Sequence, residues 1–143
     1  MAKRTAHAKW EGSLKRGAGR LRVGSGAFDV PYTYKSRFRE GDDTNPEELI
    51  GAAHSGCFTM ALALILGGPG HEPEALETDA KVGLVQAGEG FEIDRIALRT
   101  SGRVPGIAAD EFERHAEAAK DHCPVSKALA GVGELTLEAR LES

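Results

Sequence analysis

The sequence predicts an α+β fold, and three observations carry that prediction. Apolar and polar residues alternate through the first forty positions, a well-capped apolar helix follows, and two strands, two helices and a last strand complete the chain. Strand and helix signals therefore come in blocks, without the regular strand–helix repeat that builds an all-parallel sheet. With 143 residues the chain reads as a single domain over 1–143, long enough to bury about two-thirds of its unfolded surface.

Each element has its own warrant. Ala6, Ala8 and Trp10 alternate with His7 and Lys9, and Leu21 and Val23 alternate with Arg20 and Arg22. Val30, Tyr32, Tyr34, Ser36 and Phe38 alternate with Thr33, Lys35, Arg37 and Arg39, so a third strand is expected to run as far as Phe38. Glycine-rich breaks between these pieces suggest a three-stranded meander. The first helix starts at Asn45, a good N-cap, with Pro46 at the first helical position and Glu48 where a capping box wants it. Ile50, Ala53, Cys57, Met60, Ala61 and Leu64 form an apolar stripe flanked by Gly51, Ala52, Gly56 and Phe58. That helix is expected to be buried nearly all round, and Gly67-Gly68-Pro69-Gly70 stops it.

Two strands, about 76–85 and 91–104, follow as a hairpin turning through Gln86 to Gly90. The apolar phase changes from Phe91 and Ile93 to Ile96 and Leu98, which predicts a bulge near Asp94-Arg95. Pro105-Gly106 ends the second strand. A helix over about 108–121 turns Phe112, His115 or Ala116, and Ala119 inward, and a short helix after Cys123 leads to a last strand from Glu134 to Leu141.

Charge and composition exclude several functions. The net charge of −4 comes with no basic stripe able to track phosphates, so nucleic acid is a poor partner. The longest uninterrupted apolar run, Met60 to Leu66, falls short of the ~18 residues that suggest a membrane span. Polar residues follow Lys3 and Arg4 where a secretory signal would be apolar, so a cytoplasmic location is expected, where thiols stay reduced. There is no Cys-x-x-Cys pair and no metal, flavin, nucleotide or haem motif, so no cofactor and no metal are expected. His71, His115, His122 and Cys123 lack any recognised ligand spacing.

The chemistry resides in two cysteines. Cys57 lies on the apolar helix, where it reads equally as a small core residue whose burial raises its pKa. No lysine or arginine stands between Leu49 and Leu66 to activate it; His54, three residues earlier, faces a similar direction. Cys123 precedes Pro124 at the mouth of a short helix, where free N–H groups and the positive helix end favour a thiolate. Local physics finds two candidate thiols and does not rank them.

The run Thr44-Asn45-Pro46-Glu47-Glu48-Leu49-Ile50-Gly51-Ala52-Ala53-His54 leads into Cys57-Phe58. Cys123-Pro124-Val125-Ser126-Lys127-Ala128-Leu129 stands downstream, with Tyr34-Lys35-Ser36-Arg37-Phe38 before the helix and Val104-Pro105-Gly106-Ile107 before the second. Together these resemble the OsmC/Ohr family, closest to its osmotically inducible protein C branch, over almost the whole chain. The one departure is Ser55-Gly56, where alanines are more usual.

The resemblance implies antiparallel β-sheets wrapped around a central buried helix in an intertwined homodimer. It implies a thiol peroxidase that reduces organic hydroperoxides, and hydrogen peroxide more weakly, in defence against oxidative or osmotic stress. By matching motif positions, Cys57 is similar to the peroxidatic cysteine, Cys123 to the resolving one, Arg37 to the activating arginine and Glu47 to the glutamate that orients it. The Cys57 sulfenic acid would condense with Cys123 to a disulfide, which a dithiol, with lipoyl groups as the suggested class, reopens. Arg37 is expected on a strand face. Ten residues at ~1.5 Å each put Glu47 roughly 15 Å along the axis from Cys57, so its target is expected on the partner subunit. Ile50, Phe58, Met60 and Phe112 are candidates to line an alkyl pocket. Two other readings stand beside this one: acyl transfer with His54 or His122 as base, and a non-enzymatic dimeric stress or ligand-binding protein whose cysteines merely pack.

Overall fold

The computed structural model describes residues 2–142, and the chain divides into two compact units, Met1–Leu49 and Ile50–Ser143. In the first unit β1 (Ala6–Glu11), β2 (Ala18–Val23) and β3 (Asp29–Tyr32) form the expected antiparallel meander. Gly19 sits opposite Trp10 on one side and Tyr32 on the other. A Cβ there would lie 2.5 Å from both rings, so only glycine lets the two aromatics meet edge to face with centroids 5.3 Å apart.

The third strand stops at Tyr32, six residues short of Phe38. Pro31 is tolerated because β3 is an edge strand, and Tyr34–Phe38 is a short helix, α1. Thr33 caps it: Ser36 N–H donates to Thr33 Oγ1 at 3.1 Å, and Thr33 N–H donates to Ser36 Oγ at 2.9 Å. This reciprocal pair satisfies two backbone donors at once and outweighs a weak alternation of side chains. Arg37 is therefore a helical residue, not a strand-face one.

α2 (Pro46–Gly67) begins in the first unit and continues into the second. Its start follows expectation, with Glu48 N–H donating to Asn45 Oδ1 at 2.8 Å; the Glu48 carboxylate takes the Thr44 hydroxyl instead of closing the box. The inward face differs from the expected stripe. Glu47, Gly51, His54, Phe58, Leu62 and Leu66 are the buried positions, spaced three and four apart. Met60 is 76% and Leu64 80% exposed, so in the single chain the helix is covered on one side only. A helix apolar nearly all round has no dominant period, and only packing decides which stripe turns inward. By length and composition alone α2 could also cross a membrane. Its buried stripe carries Glu47 and His54, the pattern of a helix in a protein core.

The second unit holds β4 (Ala75–Ala87) and β5 (Gly90–Arg103) as an antiparallel hairpin. The expected bulge is present: Gly83 pairs with Arg95 and Leu84 with Ile93, leaving Asp94 as the extra residue. α3 (Ala109–His122) and α4 (Pro124–Ala128) then cross over to β6 (Glu134–Glu142), which pairs with β5 in parallel. The sheet is thus mixed rather than antiparallel throughout, because a helical crossover returns the chain in its original direction. Phe58, Leu62 and Leu66 of α2, Ile96 and Leu98 of β5, and Phe112, Ala116 and Ala119 of α3 make the core of this unit, with Cys123 at its edge.

Candidate active site

The two cysteines meet. Cys123 is at once the C-cap of α3 and the N-cap of α4, a junction that Pro124 enforces because it suits the first turn of α4 and could not continue α3. That junction brings the Cys123 sulfur to 2.9 Å from the Cys57 sulfur on α2, across 66 residues of sequence; both thiols are free. Cys57 keeps part of its surface exposed, whereas Cys123 has none.

The surroundings shift the two thiols in opposite directions. Burial raises the Cys57 pKa, the neighbouring Cys123 sulfur raises it further, and the Val125 N–H only partly offsets them. Burial also works against a Cys123 thiolate, but the Cys57 thiol, the Ser126 N–H and hydroxyl and the Val125 N–H together hold its pKa below the ordinary value. No single one of these forms an aligned cap bond to the sulfur. Cys123 is therefore the more acidic of the two thiols, and none of the groups that act on Cys57 among the described residues is cationic.

The other predicted pair is also assembled, within the first unit. Arg37 Nε donates to Glu47 Oε1 at 2.8 Å. Asn45, which caps α2, also donates through its side chain to the Ser36 carbonyl at 3.0 Å, and so ties α1 to the start of α2. The Glu47 side chain is 8% exposed and that of Arg37 38%, so the carboxylate is the buried anchor and the guanidinium the outward end. Glu47 Oε2 is buried with no hydrogen-bond partner among the described residues. Because the ion pair uses Nε, both terminal nitrogens of the fork stay directed elsewhere.

Arg37 also borders a cavity of about 270 Å³ lined by Trp10, Leu14, Tyr32, Tyr34 and Phe38. An aromatic pocket with one fixed cation suits an apolar molecule carrying a polar end. The sequence reading missed these residues, although Thr33-x-x-Ser36 was a visible capping signal. Of the residues proposed to line an alkyl pocket, Phe58 and Phe112 are wholly buried in the core, Ile50 is half-buried and Met60 exposed, and none of the four borders this cavity.

The histidines settle elsewhere. His54 is fully buried, and its Nε2 lies 2.8 Å from Ser126 Oγ, so it serves neither as a base on Cys57 nor as surface packing. His71 and His115 both approach Glu111 Oε2, at 3.1 and 3.2 Å, and their hydrogen bonds lower that carboxyl's pKa. His122 Nδ1 bonds the Ala118 carbonyl at 2.7 Å. No cluster able to hold a metal occurs among the described residues.

Burial also lowers the His54 pKa, which has a thermodynamic consequence. The unfolded chain takes up a proton at this residue near pH ~6.5, which the folded chain refuses until lower pH, so stability falls as pH drops below that value. Urea titrations between pH 7 and 5 should show this slope, and His54→Gln should flatten it. An unchanged slope in that variant would mean another group dominates.

Comparison with known proteins agrees with the geometry. A family model described as OsmC-like protein matches residues 39–138, a span that holds Glu47 and both cysteines and begins two residues after Arg37. Peroxiredoxin OsmC of Escherichia coli (strain K12) is 46% identical over 137 residues, covering 95% of this chain and 94% of that protein. The organic hydroperoxide resistance protein OhrA of Bacillus subtilis (strain 168) is 35% identical over 97 residues, 66% of each chain. Among solved structures, an organic hydroperoxide resistance protein from Elizabethkingia anophelis superposes with a TM-score of 0.74 at 25% identity, covering 97% of this chain and 96% of that one. With the paired cysteines and the capped arginine–glutamate pair in place, the chain belongs to the OsmC-like protein family.

Proposed function

We propose that this protein is a cytoplasmic, homodimeric thiol peroxidase that reduces organic hydroperoxides, and hydrogen peroxide more weakly, in defence against oxidative or osmotic stress. The observation that carries the reading is the 2.9 Å approach of a partly exposed sulfur to a buried one. A sulfenic acid formed on Cys57 has its resolving thiol already in contact, and closing a disulfide requires the sulfurs to draw in to about 2.05 Å. The names of the relatives, a peroxiredoxin and an organic hydroperoxide resistance protein, support the same chemistry.

The steps balance without a cofactor. The Cys57 thiolate attacks the distal peroxide oxygen, the O–O bond breaks, and the alkoxide leaves as alcohol after taking a proton. Cys123 then attacks the sulfenic sulfur, water departs, and a Cys57–Cys123 disulfide remains. A dithiol, lipoyl groups being the class we favour, reopens it by exchange.

Cys57 still requires a cation, and the groups that set its pKa among the described residues include none. In this reading the Arg37–Glu47 pair of one protomer serves Cys57 of the other. Three observations support it. Glu47 and Cys57 are ten residues apart on one unbroken helix, roughly 15 Å along its axis. Glu47 holds the Nε edge, the guanidinium lies over the Phe38 ring at 5.3 Å from its centroid, and no hydrogen bond occupies the terminal nitrogens among the described residues. Finally, α2 presents Met60 and Leu64 as an uncovered apolar face, which a second copy would bury. The aromatic cavity beside Arg37 would then receive the organic group of the peroxide.

The test is mass spectrometry after one equivalent of cumene hydroperoxide per chain. The expected product is a Cys57–Cys123 link within one chain. Cys123→Ser should still consume one equivalent and stop at a Cys57 sulfenic acid, which dimedone traps. A Cys123→Ser chain that cannot be oxidised at all would show Cys123 to be the peroxide-reacting sulfur.

A further inference from the structure

Among the described residues, His54 is the one buried titratable group for which this scheme has no use. It lies on the inward stripe of α2 with no exposed surface, and it reaches 72 residues along the chain to Ser126 on α4. Ser126 is itself buried, and its hydroxyl is among the groups that hold the Cys123 proton loosely. Imidazole, hydroxyl and resolving thiol therefore stand in sequence, all inside the second unit.

A space-filling role explains this arrangement poorly. His54 Nδ1 is buried without a hydrogen-bond partner among the described residues. Such an orphan costs about 1–3 kcal/mol that an apolar side chain of similar size would not incur. A group retained against that cost, aimed through a single hydroxyl at a sulfur that must lose a proton to react, suits proton handling better than packing.

We propose that His54, acting through the Ser126 hydroxyl, takes up the proton of the Cys123 thiol while that sulfur attacks the Cys57 sulfenic acid. The inference rests on the peroxidase reading above and assigns the residues of its second step. Ser126 Oγ accepts the thiol proton as its own proton passes to His54 Nε2. The Cys123 electron pair forms the S–S bond, and the Cys57 S–O bond breaks with its electrons on oxygen. The proton returns through Ser126 to that oxygen, and water leaves. The Cys57 sulfur is reduced, the Cys123 sulfur is oxidised, and His54 ends neutral as it began. Ser126 touches the reacting sulfur; His54 is a positioning residue that acts through it. Burial alone, with no charged neighbour contributing, lowers the His54 pKa, so the imidazole is neutral and able to accept near pH 7.

The test separates the two steps by rapid mixing of the reduced protein with one equivalent of cumene hydroperoxide. Dimedone trapping reads sulfenic acid formation, and mass spectrometry reads the disulfide. Expected for both His54→Gln and Ser126→Ala is sulfenic acid formation within about 3-fold of the parent, with disulfide closure slowed about 10²-fold, the usual size of an acid–base contribution. Ser126→Thr, which restores the hydroxyl, should recover most of the closure rate. Ser126→Ala removes a single oxygen from a packed site, so it keeps the comparison open if the His54 variant folds poorly. Closure at the parent rate in both variants overturns the proposal, and so does equal slowing of both steps, which would mark a structural role. A parent chain that makes neither sulfenic acid nor disulfide brings down the peroxidase reading, a result distinct from either of these.

Discussion

Cys57→Ser is expected to reduce hydroperoxide turnover to the background rate, a loss of at least about 10³-fold, because a serine hydroxyl at its ordinary pKa is no nucleophile toward peroxide. The proposal assigns the substrate to the more accessible sulfur rather than to the more acidic one. Within one chain Cys123 has the lowered pKa and Cys57 the raised one. Reactivity needs access as well as charge, and Cys123 is wholly buried while Cys57 retains exposed surface. Serine is nearly isosteric with cysteine, so the variant should keep its unfolding midpoint, which a thermal melt can check. Consumption of cumene hydroperoxide, followed with a dithiol reductant in excess, decides the matter. Turnover that survives Cys57→Ser and disappears in Cys123→Ser would exchange the two roles.

Arg37→Met carries the second prediction, a fall of about 10²–10³ in the rate of Cys57 oxidation at pH 7. A guanidinium within contact of a thiol depresses its pKa by about 1–3 units, and its donors also stabilise the departing alkoxide. Without it, burial and the neighbouring sulfur leave Cys57 with a raised pKa. The oxidation rate of the variant should therefore rise with pH well beyond the point at which the parent levels off. Arg37→Lys should recover little, since an ammonium lacks the planar fork with which Glu47 holds one edge and the other edge, in the proposed mechanism, would face the peroxide. Glu47→Gln should cost less than Arg37→Met, because the cation remains and only its orientation loosens.

Subunit sharing can be read from the same variants. Cys57→Ser and Arg37→Met chains, each inactive alone, should regain activity when co-expressed. The mixed dimer holds one site with both groups intact, giving roughly a quarter of the parent's sites if pairing is random. Co-expressed chains that stay inactive would place the arginine and the cysteine of each site in the same protomer.

Much of the fold was legible from residue pattern because local signals were strong. Asn45-Pro46 starts α2, the glycines after Leu66 end it, and the phase change at Asp94 places the bulge where the register shifts. Two errors share a cause. Alternation alone extended the third strand to Phe38, yet two hydrogen bonds between Thr33 and Ser36 form a helix there. Alternation is a weak signal over five residues, and a reciprocal cap outweighs it. On α2, where nearly every side is apolar, periodicity had no preferred face, and the expected stripe is only partly covered: Ile50, Cys57 and Ala61 are half-buried, while Ala53, Met60 and Leu64 are exposed. The parallel pairing of β6 follows from the crossover through α3 and α4, which no strand pattern records.

From its residues alone the chain declared all its elements but α1, its two candidate thiols and, by motif, its family. Those follow from short-range chemistry: caps, breakers and side-chain spacing act over a few positions. Which sulfur is exposed, which stripe of α2 turns inward, and that His54 meets Ser126 across 72 residues were decided only by the folded chain. Burial and proton affinity depend on groups brought from distant parts of the sequence, and their packing has no local signature.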